Sequence, residues 1–378
     1  MPRLVPSLLV AAFAGLAAAA DPRPTFPDAK YGKGELSHVN GMPVLVVRGQ
    51  PVEIGEQFGV LAVKNALGLD ELHKNFLHDA KLEEKATVIK LLARRLKANF
   101  PPDHRTEIEA LAKAAGRELD LALFANTVYD LSSGMGCSTV VVEKGRSKTG
   151  APLFGRNFDW LPSKGITEHT LLAVFHPEGK RSFAIVTVTP IVGCISGMND
   201  AGLSCTINEI HLKQSKDHAA FDWDGTPTLL LFRRVLEECR TVSDAEKLVR
   251  GARRTTAACL TICDKDGGAV FEITPKTVDV RSAVHDVCCC TNHFRCDGLS
   301  LGERCWRYDA LEPLQEEDAK LGVADVFARL GLVSQGAHTL QSMVFEPAER
   351  RLHLKYGPGP ATKLEAKTFE LGKWLDQK

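Results

Sequence analysis

The hydrophobic pattern of this sequence changes near residue 137, and that change constrains the fold more than any other feature. From Pro51 to Leu131, apolar residues recur at steps of three and four, which indicates amphipathic helices. From Cys137 onwards, short runs of β-branched and apolar residues alternate with Gly, Pro and Asn-Asp turns, which indicates strands. We therefore expect a helix-rich segment followed by a strand-rich one.

The same patterns predict individual elements. A β run at 43–48 precedes the helices, and the sequence Asn-Phe-Pro-Pro-Asp at 99–103 separates two helices, with Asp103 as the expected N-cap. Further strands are expected at 138–142, 151–158, 171–175, 183–188, 194–196, 203–207, 257–263, 269–273, 278–281 and 287–291. A helical block at 227–249, a polar helical segment at 301–330 and a hairpin of 339–345 and 351–356 complete the pattern. Antiparallel strands with grouped helices predict an α+β fold in which helices cover a two-sheet core.

The N-terminal residues 1–20 are expected to lie outside the folded protein. Arg3 precedes an apolar run from Leu8 to Leu16, and small residues follow as far as Ala20. This is the layout of a secretory signal peptide. A membrane anchor is the alternative, but the apolar run is shorter than the ~20 residues that a membrane-spanning helix needs. We expect cleavage after Ala20 and an exported protein, periplasmic or secreted, with no stable membrane anchor.

The composition argues against several classes of protein. The 47 Lys and Arg residues balance 47 Asp and Glu residues, so the basic excess of a nucleic-acid-binding protein is missing. Apolar residues make up 44% of the chain and charged residues 25%, both ordinary for a globular protein and unlike a disordered one. The sequence therefore predicts a folded protein that does not bind nucleic acid.

The chain contains 11 cysteines, an odd number that leaves at least one free thiol in an exported protein. Cys194 and Cys205 flank the turn sequence Asn-Asp-Ala-Gly at 199–202. A disulfide bond between them across a hairpin is therefore one interpretation that the sequence leaves open. The cysteine run at 288–290 lacks the paired C-x₂-C spacing of structural zinc sites. We expect no metal site here.

Cys137 is the first candidate catalytic residue. It opens a predicted strand directly after the helical region, and Arg156 and Asp159 follow on the next predicted strand. A guanidinium beside a thiol favours the thiolate and lowers the pKa of the cysteine. A carboxylate at the same place can orient the thiol or a neighbouring amine. The arrangement predicts a nucleophilic cysteine, although each residue alone is also typical of a buried structural role.

Four motifs, taken in order, resemble those of the N-terminal-nucleophile hydrolases. They are Gly-Cys-Ser-Thr at 136–139, Gly-Arg-Asn-Phe-Asp-Trp at 155–160, Gly-Met-Asn-Asp-Ala-Gly-Leu at 197–203 and Thr-Asn-His-Phe at 291–294. The resemblance spans Val44–Tyr356 and is to the acyl-coenzyme A:6-aminopenicillanic acid acyltransferase (isopenicillin N acyltransferase-like) family. Penicillin V acylases, bile-salt hydrolases and acid ceramidase-type amidases are more distant relatives. The resemblance implies a four-layer αββα sandwich with an N-terminal helical segment.

The resemblance also implies an enzyme that cuts its own chain between Gly136 and Cys137. After removal of the signal peptide 1–20, the products would be a small chain, 21–136, and a large catalytic chain, 137–378, which stay associated. The released α-amino group of Cys137 would act as the general base for its own thiol, and Gly136 would supply the backbone freedom that cleavage needs. A small N-acyl amide or acyl donor would form a thioester on Cys137, resolved by water or an amine. No metal or organic cofactor is implied.

The resemblance also implies a role for individual site residues, according to their positions in the motifs. Arg156 and Asp159 match the residues that contact the thiolate and orient the amine. Asn208 matches a side-chain donor of the oxyanion hole, and Asn292 matches a residue that hydrogen-bonds the amine or the substrate amide. Asn199, by contrast, is expected to be a turn residue that satisfies local backbone groups.

The sequence differs from the bile-salt hydrolases at one position of the site, and several alternative functions stay open. Bile-salt hydrolases carry a further active-site Arg in the C-terminal part of the fold, but the corresponding segment at 338–342 has none. This weakens a transfer of their substrates. The first alternative is an amidase similar to choloylglycine hydrolases, penicillin V acylases or ceramidases. The second is a papain-like Cys–His protease, for which His293 is the histidine of interest. The third is a non-catalytic exported protein of the same fold.

Overall fold

The structure is a computed structural model that describes residues 25–132, 134–210 and 221–377. The expected signal peptide at 1–20 lies outside these residues. In the described ranges no helix is both long and apolar enough to cross a membrane.

The part of the chain before Cys137 is mostly helical, as predicted. Its helices are α1 (Pro51–Phe58), which continues as a π-helix over Gly59–Lys64, α2 (Leu69–Asp79), α3 (Ala86–Leu96), α4 (Pro102–Ala115) and α5 (Leu119–Leu131). Asp103 is not the N-cap that we expected. It lies in the first turn of α4, because Pro102, which has no N–H to satisfy, takes the first helical position.

Three strands come before these helices, of which the sequence pattern predicted one. They are β1 (Ala29–Tyr31), β2 (Gly34–Val39) and β3 (Met42–Gly49). Both β1 and β2 are short and half exposed, so they lack the apolar run by which β3 is recognised.

The part after residue 136 is rich in strands, and most of them match the prediction. The strands are β4 (Gly136–Val142), β5 (Leu153–Asp159), β6 (Thr170–Pro177), β7 (Phe183–Val188), β8 (Ser196–Asn199), β9 (Ser204–Glu209), β10 (Ala258–Cys263), β11 (Gly268–Ile273), β12 (Val278–Ser282), β13 (Val287–Cys290), β14 (Thr339–Glu346), β15 (Arg351–Tyr356) and β16 (Lys367–Glu370). The helices are α6 (Thr228–Glu238), α7 (Val242–Gly251), α8 (Trp306–Leu311), α9 (Val323–Leu332) and α10 (Gly372–Leu375). The helical block predicted at 227–249 is therefore two helices, because Thr241 caps the second one by accepting a hydrogen bond from the Asp244 N–H.

The strands form two sheets. One has ten strands in the order β1-β2-β3-β6-β7-β8-β9-β10-β11-β12, and the other has six in the order β13-β4-β5-β14-β15-β16. The expectation of antiparallel pairing is correct except between β3 and β6, which run parallel. This pair joins strands from before and after residue 137 within one sheet.

Three apolar clusters define the layers. Helices α1, α4, α5 and α6 pack on one face of the ten-stranded sheet, for example through Ile54 and Leu236. The second cluster, which includes Val141 and Val270, lies between the two sheets. In the third, Val140 packs against α8 and α9 on the outer face of the six-stranded sheet. Neighbouring strand residues thus point to opposite faces, and the result is the predicted four-layer αββα sandwich.

Candidate active site

Cys137 lies near the start of β4 and is completely buried. Nη2 of Arg156, on the neighbouring strand β5, donates to its Sγ at 3.2 Å. The same guanidinium donates to the Ile195 carbonyl at 2.6 Å, just before β8, to the Ser196 hydroxyl on β8 and to the Ile207 carbonyl on β9 at 3.1 Å. Arg156 therefore lies beside the thiol, where the sequence motif placed it, and its contacts with the ten-stranded sheet are a finding of the structure.

The net effect on the thiol is the opposite of our expectation. Burial raises the pKa of Cys137 above its ordinary value, and the carboxylate of Asp159 acts in the same direction, while Arg156 and Arg307 lower it. Arg156 thus lowers the pKa of Cys137 as predicted, but in the uncut chain the net shift is upward. The reason is that a fully buried thiolate loses its hydration, and this loss outweighs the nearby guanidinium groups.

Asn292 contacts both sides of the Gly136–Cys137 peptide bond. Its Oδ1 accepts the Cys137 N–H at 3.0 Å. Its Nδ2 donates to the carbonyl of Met135 at 3.4 Å and to that of Glu209 at 2.6 Å. The sequence thus identified a residue that bonds the nitrogen of Cys137.

Asp159 lies directly across the sheet from Gly136. Its carboxylate accepts hydrogen bonds from Thr339 Oγ1 at 2.5 Å and from Gln335 Nε2 at 2.7 Å. In the uncut chain this carboxylate is not the acceptor of the Cys137 N–H, which bonds a different residue. Asp159 is therefore adjacent to the candidate cleavage bond, but the amine contact expected for it is not made in this state.

Gly136 is tightly enclosed. A Cβ atom here would collide with Gln335 Nε2 and lie 3.0 Å from the Cβ of Asp159. Its φ is outside the left-handed region, so the expectation of unusual backbone freedom at Gly136 is not what the structure shows. A side chain at this position would displace the Gln335 amide that bonds Asp159.

Asn208 lies on β9 and is completely buried. Its Oδ1 accepts a hydrogen bond from Thr261 Oγ1 at 3.4 Å, and Thr261 in turn contacts Thr139 Oγ1 at 2.9 Å. Because Thr139 is two residues from Cys137 on β4, both point to the same face of the strand. Nδ2 of Asn208 has no hydrogen-bond partner among the described residues. It is a buried, unused donor on the side of the nucleophile.

Arg307, from the short helix α8, completes the group of side chains around the nucleophile. Nη1 donates to the Cys137 carbonyl at 2.6 Å and to Ser138 Oγ at 3.2 Å, and Nη2 donates to Asn292 Oδ1 at 2.6 Å. The guanidinium also lies 3.7 Å from Asp159 Oδ2. One arginine thus contacts the nucleophile residue and two of the predicted site residues.

Sequence reasoning missed Arg307, because we looked for an additional arginine only at 338–342. That segment contributes Thr339 instead, and the nearby Gln335 binds the same carboxylate. No motif marks Arg307 in the sequence. Arg307 lies in a segment of polar sequence, so the sequence does not indicate that it is buried, whereas in the structure it is only 6% exposed.

Glu209 is a further residue that the sequence did not indicate. Its carboxylate accepts the N–H groups of Gly134, at 3.1 and 3.2 Å, and of Met135, at 2.7 Å. Burial raises the pKa of Glu209 to about 7, although these hydrogen bonds lower it. The carboxylate therefore holds the residues just before the candidate cleavage bond.

The predictions for Asn199 and His293 concern contacts away from the Cys137 thiol. Asn199 Oδ1 accepts the N–H groups of Ala201 and Leu203, which confirms its role as a turn residue. His293 lies 3.5 Å from Glu303 and hydrogen-bonds the thiol of Cys305, which helps to lower the pKa of that thiol to about 6. No histidine in the described ranges hydrogen-bonds the Cys137 thiol, which argues against a papain-like pair at Cys137. Within the same ranges, no group of three or more His, Cys, Asp or Glu side chains is arranged to hold a metal ion.

The chain was compared with known proteins and solved structures. Similar solved structures include the Caenorhabditis elegans N-acylethanolamine-hydrolyzing acid amidase ortholog, with 17% identity, a TM-score of 0.47, and coverage of 62% of this chain and 99% of that one. A penicillin V acylase from Agrobacterium tumefaciens has 17% identity and a TM-score of 0.45, with coverage of 59% and 84%. A variant of the conjugated bile acid hydrolase from Clostridium perfringens has 15% identity and a TM-score of 0.47, with coverage of 64% and 95%.

No curated protein matches the chain significantly. A model of the acyl-coenzyme A:6-aminopenicillanic acid acyl-transferase family matches residues 145–359. The match starts after Cys137 and includes Arg156, Asp159 and Asn292. Because it covers more than half of the sequence, this chain belongs to that family of N-terminal-nucleophile amide hydrolases and acyltransferases, which act on carbon–nitrogen bonds of small acyl amides.

Proposed function

We propose that this protein cuts itself before Cys137 and then hydrolyses, or transfers the acyl group of, a small N-acyl amide through a thioester on that residue. One observation carries the proposal. The thiol, the N–H and the carbonyl of Cys137 each have a buried partner, which are Arg156, Asn292 and Arg307 respectively. Buried N–H and carbonyl groups have partners in any fold, but a cysteine with only a structural role does not require a guanidinium beside its thiol, where the positive charge favours the thiolate.

Self-cleavage begins with attack of the Cys137 sulfur on the carbonyl carbon of Gly136. The C–N bond breaks, the nitrogen takes up the proton lost by the thiol, and a thioester forms between Gly136 and Sγ. Water then hydrolyses the thioester to a carboxylate and a free thiol. Glu209 and Asn292 support this step, because together they hold the N–H and the carbonyl of Met135 and so limit the movement of the reacting carbonyl.

Turnover uses the new α-amino group of Cys137, whose ordinary pKa of about 7.7–8.0 suits proton transfer near neutral pH. The amine accepts the thiol proton, the thiolate attacks the substrate carbonyl, and the ammonium returns the proton to the leaving amine. Asn292 already bonds this nitrogen before cleavage, and Asp159 lies across from Gly136, whose departure exposes the carboxylate to the new amine. Water or an amine then resolves the acyl-thioester.

The oxyanion that forms in this reaction needs a hydrogen-bond donor. We assign that role to Asn208, because its Nδ2 is buried and unpartnered among the described residues, and an unpaired buried donor costs about 1–3 kcal/mol. Such a donor is oriented before the substrate arrives, which is the arrangement that stabilises a developing negative charge.

An apolar cavity supports a substrate with an apolar acyl group. The cavity has a volume of about 70 Å³, opens to solvent, and is lined by α2, α5 and the segment 188–191. Its wall includes Trp160, the residue that follows Asp159, together with Phe76 and Phe124. We propose that the acyl portion of the substrate occupies this cavity. Transfer of carbon-rich groups from water into such a space is favourable in proportion to the apolar area buried.

We also propose that the enzyme is exported, on the basis of the signal-peptide pattern at 1–20. N-terminal sequencing of secreted protein tests this, and the mature small chain should begin at or near Asp21. Secreted material that retains Met1 would contradict the proposed processing by a signal peptidase.

The central experiment is an intact-mass measurement combined with an amidase assay. Wild-type protein should give two masses, for residues 21–136 and 137–378, and should release the amine from N-acyl amides. Cys137→Ala should remain one inactive chain. Cys263→Ala removes another completely buried thiol, on β10, and should be processed and active.

Two results would contradict the proposal. An active wild-type enzyme that remains a single chain would exclude the amine as general base. An uncut and inactive wild-type protein would identify a non-catalytic member of the fold. Adding a primary amine acceptor to the assay separates transfer from hydrolysis, since transfer yields a new amide.

A further inference from the structure

Two buried thiols touch each other next to the active site. Sγ of Cys194 lies 3.7 Å from Sγ of Cys205, and the two side chains are 1% and 0% exposed. A disulfide bond requires about 2.05 Å between the sulfur atoms. The sulfur atoms therefore need to approach by only about 1.7 Å, a distance that rotation of side chains can supply.

The main chain around both cysteines is well anchored. Cys205 pairs with Gly197 between β9 and β8, and the Cys194 N–H donates to the Leu229 carbonyl at 2.9 Å. The turn between them is closed by Asn199, which accepts two backbone N–H groups. The two thiols are thus brought together by backbone structure and not by a chance contact of mobile side chains.

The same two segments hold Arg156. Its guanidinium donates to the carbonyl of Ile195, one residue after Cys194, and to that of Ile207, two residues after Cys205. The Ile207 N–H donates to Ile195 O at 3.1 Å, which ties the two carbonyl-bearing segments together. A covalent link between the cysteines would restrict separation of the segments that position Arg156.

We propose that Cys194 and Cys205 form a disulfide bond in the mature protein, and that this bond stabilises the binding site of the Arg156 side chain. The oxidant is a disulfide, either of low molecular weight, such as oxidised glutathione, or in a protein. One cysteine thiolate displaces one sulfur of the oxidant to form a mixed disulfide. The second thiolate then attacks that bond, so that two thiols are oxidised, one disulfide of the oxidant is reduced, and the two protons lost by the cysteines pass to the two thiols of the reduced oxidant.

The burial of the two thiols determines when the disulfide bond forms. The thiolate is the attacking species, and the adjacent Cys194 together with burial raises the pKa of Cys205 well above its ordinary value. The folded protein therefore exchanges slowly, and the bond forms while the chain is still folding. Formation of the bond does not depend on the enzymatic activity, whereas its effect on catalysis rests on the role proposed for Arg156.

Peptide mass mapping tests the bond. Both cysteines lie in one tryptic peptide, 182–213, because no Lys or Arg separates them. The full-length chain is refolded with a mixture of oxidised and reduced glutathione, unfolded, alkylated and digested. Peptide 182–213 should then carry no alkyl label and be about 2 Da lighter than the reduced peptide. A Cys137→Ala background removes mixed disulfides at the nucleophile, and it should give the same peptide mass even if the chain proves not to be an amidase.

The melting temperatures of wild type and of two cysteine variants are the second measurement. Wild type refolded without the oxidant should melt about 5 °C below wild type refolded with it, and Cys205→Ser should melt at the lower temperature under both conditions. The control Cys263→Ser keeps the pair and should show the same difference as wild type. A fully alkylated peptide 182–213 after oxidative refolding, or equal melting temperatures for wild type refolded with and without the oxidant, would overturn the proposal.

The effect on catalysis needs the processed enzyme. Enzyme folded without the oxidant should have a kcat several-fold below that of enzyme folded with it, with little change in KM, because Arg156 contacts the nucleophile. Cys205→Ser should show the lower kcat under both conditions. An unchanged kcat in the presence of a confirmed bond would overturn the stabilising role of the bond.

Discussion

Arg233 and Glu107 form a two-point ion pair inside the helical layer, with both nitrogen–oxygen distances at 2.6 Å and side-chain exposures of 1% and 2%. Glu107 belongs to α4, before the proposed cut, and Arg233 to α6, after it. Glu237 extends the cluster, since it accepts from Arg233 at 2.8 Å and lies 2.9 Å from His104 of α4. Buried charges thus join the two chains that cleavage would produce.

We expect Glu107→Gln to weaken the association of the two mature chains. The substitution leaves Arg233 buried without its full countercharge, a loss that costs about 3–5 kcal/mol. Urea unfolding of the processed protein should show a clearly lower midpoint. Glu238→Gln, which breaks a partly exposed pair with Arg234, is the control and should cost less than about 1 kcal/mol. Equal midpoints for the two variants would contradict this role for the buried cluster.

Arg307→Gln should slow both self-cleavage and turnover by about 100-fold, because it removes the donors to the Cys137 carbonyl and to Asn292. A time course on denaturing gels measures the first rate, and kcat on an N-acyl amide measures the second. Arg304→Gln changes an arginine of 93% side-chain exposure nearby and should leave both rates at the wild-type level. Normal rates in Arg307→Gln would remove this residue from the mechanism.

Asn208→Ala should lower kcat by about 100-fold or more, because the oxyanion loses its side-chain donor. The control is Asn199→Ala, also a buried asparagine on a neighbouring strand, where the lost turn contacts reduce stability but not the kcat of the folded fraction. Kinetics combined with active-site titration separate the two effects. If both variants lose kcat equally, Asn208 has a structural role only.

Gly136→Ala should slow self-cleavage, since the added methyl group would displace the Gln335 amide from Asp159 and press against the Cβ of Asp159. Removing the obstructing side chain in the double variant Gly136→Ala/Gln335→Ala should recover part of the cleavage rate. Gly331→Ala, in α9 with no atom close to the added methyl group, should cleave normally. Fast cleavage of Gly136→Ala by itself would show that space at this position is not limiting.

Stability of the uncut chain should depend on pH through Glu209. Its pKa is raised from 4.5 to about 7, so between these values the folded chain binds a proton that the unfolded chain has lost. The free energy of unfolding therefore falls as pH rises through this window, by up to about 3 kcal/mol from this group. In the Cys137→Ala background, Glu209→Gln should flatten the pH profile of urea unfolding by about this amount. Parallel profiles would contradict the assignment.

Local patterns in the sequence were sufficient for most elements of the fold. Helical periodicity before residue 132 and short apolar runs after residue 136 depend on neighbouring residues alone, and the structure has helices and strands at those places. The exposed strands β1 and β2 were missed because they have few apolar residues. The helical block at 227–249 appeared continuous because the capping contact between Thr241 and Asp244 is a matter of geometry and not of hydrophobic pattern.

The sequence by itself determined which strands carry Cys137, Arg156 and Asp159, because strand pairing over a short connection brings such residues together. Only the tertiary structure decided that Arg307 binds the nucleophile residue, since that contact joins residues 170 positions apart through the packing of α8 on the sheet. It also decided the net direction of the thiol pKa. Motifs reveal which charges are near, but burial, which here outweighs them, is a property of the assembled layers.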